Sequence, residues 1–427
     1  MTVTTVPDSR AIYTRTPTYS WWVLLVSLLC FMTCFIGLNT VAVFGTVIQD
    51  DWGISATQLS LLTTASMVTF CVVPVFAGRW ASRIGVKKIV VIGLLFNVVA
   101  GALIPVIGQS YAGLFVLRVL LGCCGGVMNA SLATHASLWF PKNRRGFATG
   151  LLMGFLGVGF SITSFAGPLL LDTGMSWETA SAWLTVVPSI LCGALFVLTV
   201  KDFHKMRPGV ASMDALVADP RGTQRPHSTR FDALAKPASL AEALRSSRVW
   251  WASLYGAGTA VTLYGLAYAL PLFLEQDRGL SLLEASAMIG LTFMFKLVAA
   301  PIGGLMSDRL FRGERFQTNM IGAGLAGAMV IILPGVPSGT LTVYLCVMFL
   351  AASLYGGTYW AWAAELSQPQ ANYQTSGLIV TVSNVGAVLA APVLGLIIDA
   401  TGSATWAIVT IGVVGVLSIE CARRSRL

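Results

Sequence analysis

The stretch GLTFMFKLVAAPIGGLMSDRL, residues 290–310, decides how this chain is read. It is an apolar run with one charge, Lys296, in its middle. In a soluble domain a lone lysine would simply be a surface residue. Composition rules that out, because the 427 residues are 56% hydrophobic and only 11% charged, against roughly a quarter charged in soluble domains. Similar apolar runs recur along the chain, each about 20 residues long and sufficient to cross a hydrocarbon core of roughly 30 Å as a helix. Spans are expected at roughly 20–47, 57–80, 88–108, 111–134, 146–170, 178–200, 250–274, 282–306, 317–335, 340–364, 374–397 and 403–421. The expected fold is therefore an all-α membrane protein of twelve transmembrane helices. A β-barrel would instead show strands of about 10 residues with alternating character.

The formal charge of +9 would suit a nucleic-acid binder, but its distribution follows membrane topology and excludes that partner. All but three of the 27 Lys and Arg residues lie at the termini or in alternate loops: Arg79, Arg83, Lys87 and Lys88; Lys142, Arg144 and Arg145; the 201–248 segment; and Arg309, Arg312 and Arg315. The opposite loops hold Asp50, Asp51, Asp172, Glu178, Glu275, Asp277 and Asp399, with a single cation, Arg278. Positive charge stays on the cytoplasmic side, so both termini are expected there, in a multi-pass protein of the cell (inner) membrane. The first 19 residues are polar, and no cleavable leader is expected. The eight cysteines lie almost all in spans without paired spacing and read as packing residues. His135, His204 and His227 show no ligand spacing, so no metal or cofactor is expected.

The segment 201–248 contains Pro208, Pro220, Pro226 and Pro237 among many charges and reads as a linker. Near its end, SLAEALRSSRVW (239–250) has the pattern of a short amphipathic surface helix. The plan is a tail 1–19, a six-helix bundle 20–200, the linker 201–248, a second six-helix bundle 249–421 and a tail 422–427. The bundles look like repeats. GRWASRIGVKK (78–88) follows the second span and GGLMSDRLFRGER (303–315) the eighth, so that Gly78 aligns with Gly304 and Arg83 with Arg309. Pro141 in WFPKNRRGFATGL aligns with Pro369 in ELSQPQANYQTSGLI at nearly the same offset. Two bundles joined by a linker are what an alternating-access carrier needs, with its site between them near the midplane.

GRWASRIGVKK resembles the loop motif of the major facilitator superfamily, Gly-x-x-x-Asp-Arg-x-Gly-Arg-Lys, and LRVLLGCCGG around Arg118 is similar to that superfamily's arginine motif on helix 4. The resemblance covers roughly residues 20–421. It implies a gating latch on the cytoplasmic face of the outward-open state, through Gly78, Arg79, Arg83 and Gly85 in the first half and Gly304, Asp308 and Arg309 in the second. Ser82 stands where the family has Asp, which implies a weaker latch in the first half. Within the superfamily, SDRLFRG is similar to organophosphate/phosphate exchangers, while WFPKNRRGFATG and GSATWAIV resemble organic-anion transporters of sugar acids and aromatic acids. Helices 1 and 7 carry no cation to grip a phosphoryl group, so a phosphate ester is the weaker cargo.

Lys296 lies about 21 Å along its helix, a little past the midplane, and its stem is too short to reach either interface without strain. A cation there costs at least about 2.5–3.5 kcal/mol and should face a wet cavity or a partner. Every Asp and Glu falls in a loop, a tail or a terminal helix turn, the nearest being Glu365 and Glu420, so the expected partner is an anionic substrate. Arg118 sits about 10 Å below the surface. Its face runs on through Gly122, Gly125, Gly126 and Asn129, either a cavity wall with a carboxylate-binding fork or a tight packing seam. Gly150, Gly154, Gly157 and Ser161 form a stripe for close helix contact. Tyr355, Tyr359 and Trp362 on helix 10, and Tyr264 and Tyr268 on helix 7, either pack or line the cavity. Asn39 and Asn384 are candidate hydrogen-bonding contacts.

The expectation is a secondary transporter, not an enzyme, moving a small organic anion, in the first place a carboxylate, and competent as a monomer. A co-transported proton or a counter-anion fits equally, making it symporter or antiporter. Efflux of amphipathic compounds and transport of nitrate or nitrite stay open as other readings. A non-transporting sensor would be expected to carry an added soluble domain.

Overall fold

The computed structural model describes residues 17–140, 142–206, 237, 239–311, 315–356, 358–359, 362, 366 and 372–425. The tail up to residue 16, linker residues 207–236 and the last two residues lie outside them. In hydrocarbon each backbone N–H must find a carbonyl within its own segment, so the apolar runs fold as helices. The first half holds α1 (Thr18–Val43), α2 (Ala56–Ile84), α3 (Val86–Ile107), α4 (Tyr111–Trp139), α5 (Lys142–Asp172) and α6 (Trp177–Thr199). The second holds α7 (Ser247–Leu272), α8 (Leu282–Leu305), α9 (Arg315–Ile332), α10 (Leu341–Ser353), α11 (Asn372–Thr401) and α12 (Ala404–Arg424). Among the described residues eleven helices are long and apolar enough to cross a membrane, and a twelfth stretch, Ser338–Ser353, is shorter.

Several ends differ from the expected spans for local reasons. The first span breaks at Phe44, and a separate helix, Gly45–Trp52, continues past it with Gly45 tight against Leu59. Pro271 lacks an N–H and crowds the preceding turn, and α7 runs on through a wider turn, Phe273–Asp277. Glu275, expected in a loop, is therefore held on a helix. The tenth span is interrupted by a turn at Leu354, where Gly303 of α8 leaves no room for a Cβ, and helix resumes at residues 355–356, 358–359 and 362. Ser239 caps a short helix, Leu240–Arg245, within the stretch read as a surface helix.

The repeat is visible in which helices pack. In the first half α1 packs on α5, α2 on α4, α3 on α6 and α1 on α6; in the second α7 packs on α11, α8 on α10, α9 on α12 and α7 on α12. The two main seams between halves, α5 with α8 and α2 with α11, exchange under the same correspondence. Inside each half, buried polar groups are satisfied by neighbouring helices. Asn97 on α3 donates to Thr33 O at 3.1 Å and Ser189 Oγ at 2.8 Å, tying α1 and α6 together. Arg278, the lone cation among the acidic loops, donates to the carbonyls of Leu333, Pro334 and Val336 and anchors the turn after α9.

Candidate functional site

Lys296 rises from α8 at the α5–α8 seam between the halves. Small residues of α5 set this approach. A Cβ on Gly157 would lie 2.5 Å from Phe293 O and 3.1 Å from Lys296 Cβ, and one on Gly154 would meet Leu297 at 2.9 Å. Ser161 donates to Gly290 O at 2.7 Å, closing the seam one turn further along. The glycine stripe of α5 is thus a packing surface for the helix that carries the lysine. Lys296 is 9% exposed, and among the described residues its ammonium has no hydrogen-bond or ion-pair partner. Its neighbours on the same face, Thr292, Phe293 and Ala299, are buried.

Arg118 is built in differently. It is 1% exposed, and its guanidinium donates to Leu62 O at 3.3 Å, Gly37 O at 3.2 Å, Leu38 O at 2.9 Å and Ser66 Oγ at 2.9 Å. All four acceptors are neutral groups of α1 and α2, so the fork ties α4 to both. The glycines that follow it form a tight seam: Gly122 abuts Ser66 O and Thr69, Gly125 abuts Phe70, and Gly126 abuts Val73 and Pro74.

Between the halves lies a cavity of about 30 Å³, lined by Leu38, Asn39 and Ala42 of α1, Thr63 and Met67 of α2, Phe160 of α5, Tyr264, Ala267 and Tyr268 of α7, and Ala387 and Ala391 of α11. It has room for about one water-sized molecule, so an organic anion requires the helices to part. The structure brings three candidate residues together here, Asn39, Tyr264 and Tyr268. Asn39 donates to Phe160 O at 3.3 Å, and Tyr268 donates to Ala56 O. Phe160 stacks edge-on against Phe293 at 4.8 Å, one turn before Lys296 on α8. This aromatic pair connects the cavity to the lysine. Asn384 is half-buried one turn before Ala387, and its carbonyl receives the Cys71 thiol across the α2–α11 seam at 3.9 Å.

With this arrangement in view, the family profile for the Major Facilitator Superfamily matches residues 24–391. The chain belongs to that superfamily. It is similar to a probable nitrate/nitrite antiporter of Thermus thermophilus, 29% identical over 314 residues that cover 73% of this chain and 66% of that one. A probable sulfoacetate transporter of Cupriavidus necator is 24% identical over 89% of this chain and 88% of its own. A probable galactarate/D-glucarate transporter of Bacillus subtilis is 22% identical over 93% and 90%. The fold matches a solved bacterial homologue of the human lysosomal transporter Spinster, with a TM-score of 0.72, 19% identity and coverage of 96% of this chain and 98% of that one.

Other candidate residues of this major facilitator chain fall elsewhere. Tyr359 and Trp362 do not reach the cavity. They pack with Tyr255 in an aromatic cluster of the second half, at ring separations of 5.6 and 5.7 Å, and Tyr359 shares a 2.7 Å hydrogen bond with Ser383. In the loop motif Gly85 has φ +90° and ψ 147°, a conformation essentially reserved for glycine, which lets α2 turn directly into α3. Lys87 caps the end of α6 through Val197 O and Val200 O, each at 2.7 Å. Gly78 and Gly304 lie within helices, and the side chains of Arg79, Arg83, Asp308 and Arg309 lie outside the described residues.

Contacts that residue-by-residue reading missed close the cavity on the side of the acidic loops. Thr46 donates to Glu275 Oε2 at 2.6 Å, and Gln276 donates to Gln49 at 3.3 Å. Asp399 of α11 receives the backbone N–H groups of Ala56 and Thr57 at 2.9 Å each. All three join one half to the other. The acidic character of these loops was the available signal, but it read as topology alone.

Proposed function

We propose that this transporter carries a small organic anion, in the first place a carboxylate, by alternating access, with Lys296 receiving the anionic group. The observation that carries the reading is the Lys296 ammonium, nine-tenths buried at the seam between moving halves and, among the described residues, without a partner. Asn39, Tyr264, Tyr268 and Asn384 supply neutral hydrogen-bonding groups around the path, while Arg118 holds α4 to α1 and α2. The halves rock about the α2–α11 and α5–α8 seams, and the acidic-loop contacts hold one face shut. With both termini on the cytoplasmic side, that face is the outer one.

The bound anion neutralises Lys296, so the loaded carrier reorients more readily than one holding an uncompensated charge at depth. This favours exchange of one anion for another over net flux by an empty carrier. Nitrate is the second reading, favoured by the 29% identical nitrate/nitrite relative.

Thermal stabilisation of the purified protein by carboxylates, sugar acids, aromatic acids, phosphate esters and nitrate tests this, with Lys296→Ala in parallel. A carboxylate that stabilises wild type by several degrees and leaves Lys296→Ala unmoved supports the reading. Stabilisation of both proteins by neutral or cationic amphiphiles, with no anion active, would replace it with efflux.

A further inference from the structure

The valence of the cargo follows from the charges that the protein leaves unmatched. Among the described residues two buried cations stand at membrane depth, Lys296 and Arg118. Arg118 is committed: Nε, Nη1 and Nη2 donate to three backbone carbonyls and one hydroxyl, at 2.9–3.3 Å. Gripping a substrate carboxylate would mean surrendering acceptors that join three helices. Lys296 has no acceptor among the described residues. The polar groups that line the cavity, Asn39, Tyr264, Tyr268 and Thr63, can donate or accept hydrogen bonds but cannot cancel a charge.

We propose that the carrier is selective for monovalent anions, a single negative group on the cargo neutralising Lys296, and that it discriminates against dianions of the same skeleton. The inference rests on the reading of Lys296 as the anion site and adds the charge that this site accepts. One cation matched by one anion leaves the translocating complex neutral. A dianion carries a second charge to a depth where an uncompensated charge weakens binding about a hundredfold.

The test uses matched pairs on the purified full-length protein at neutral pH: acetate with malonate, benzoate with phthalate, glucuronate with glucarate, and nitrate with sulfate. Apparent affinity is read from concentration-dependent thermal stabilisation, for wild type and for Lys296→Met, which keeps the stem and removes the charge. The expected result is that a stabilising monoanion outcompetes its dianion by about a hundredfold, and that Lys296→Met abolishes its effect. In Asn384→Lys, a second cation at the α2–α11 seam is expected to shift the ratio at least tenfold toward the dianion. Should that variant fail to fold, the wild-type ratio decides alone. Dianions binding as tightly as monoanions, with both lost in Lys296→Met, would overturn monovalent selectivity and leave the anion site standing. Binding untouched by Lys296→Met, or no anion of either valence binding, would overturn the site and the inference together.

Discussion

At the scale of single residues, the two membrane cations are opposites, and their substitutions should separate. Removing the Lys296 charge takes away a buried ion that has no partner among the described residues. Lys296→Met is therefore expected to raise the stability of the ligand-free protein by about 1–3 kcal/mol, seen as a higher melting temperature, while abolishing anion transport. Arg118→Ala leaves carbonyls of α1 and α2 without their donor and is expected to cost about 2–4 kcal/mol. Anion affinity of the protein that still folds should be nearly unchanged; a lost affinity at preserved stability would put Arg118 in the site. The burial of Lys296 was legible in the sequence, because its stem is too short to reach either interface without strain. The hydrogen bonds of Arg118 were not, because three of its four acceptors are backbone carbonyls, on helices more than fifty residues away, which no residue type announces.

At the scale of elements, the α5–α8 seam positions the lysine. Gly157→Ala would set a methyl group against Phe293 O, a backbone atom that cannot swing aside, so α8 must move. The expected outcome is a transport rate lowered at least tenfold, with membrane insertion intact, measured by flux in proteoliposomes. Gly85→Ala, at a positive φ, is expected to cost about 1 kcal/mol or more in thermal stability. The helices themselves were legible from apolar run length, and the correspondence of the two halves from the repeat offset. The break at Phe44, the wide turn holding Glu275 and the turn at Leu354 were not, since each depends on a neighbouring helix or a proline-crowded turn that composition does not reveal. The aromatic residues that follow α10 show the same limit: spacing put Tyr359 and Trp362 on one face, and packing set that face into the second half's own core.

At the scale of the whole molecule, the contacts between Thr46 and Glu275, Gln49 and Gln276, and Asp399 and the start of α2 hold one face closed. Asp399→Ala is expected to shift the population toward the conformation open on that face. A cysteine at Ala391, which lines the cavity, should then react several-fold faster with a membrane-impermeant thiol reagent added from the acidic-loop side, against a background of the native cysteines alone. Unchanged labelling would mean that the remaining contacts suffice. The start of α2 also has its own cap, Ser55 with Gln58, which serves the amide of Gln58. The amides of Ala56 and Thr57 depend instead on a carboxylate from the opposite half. Each opening of that face strips two hydrogen bonds from the first turn of a helix and hands those N–H groups to water. Deuterium uptake at these two positions should therefore track the carrier's cycle, slowing whenever the face is shut, so the chain carries its own isotopic clock.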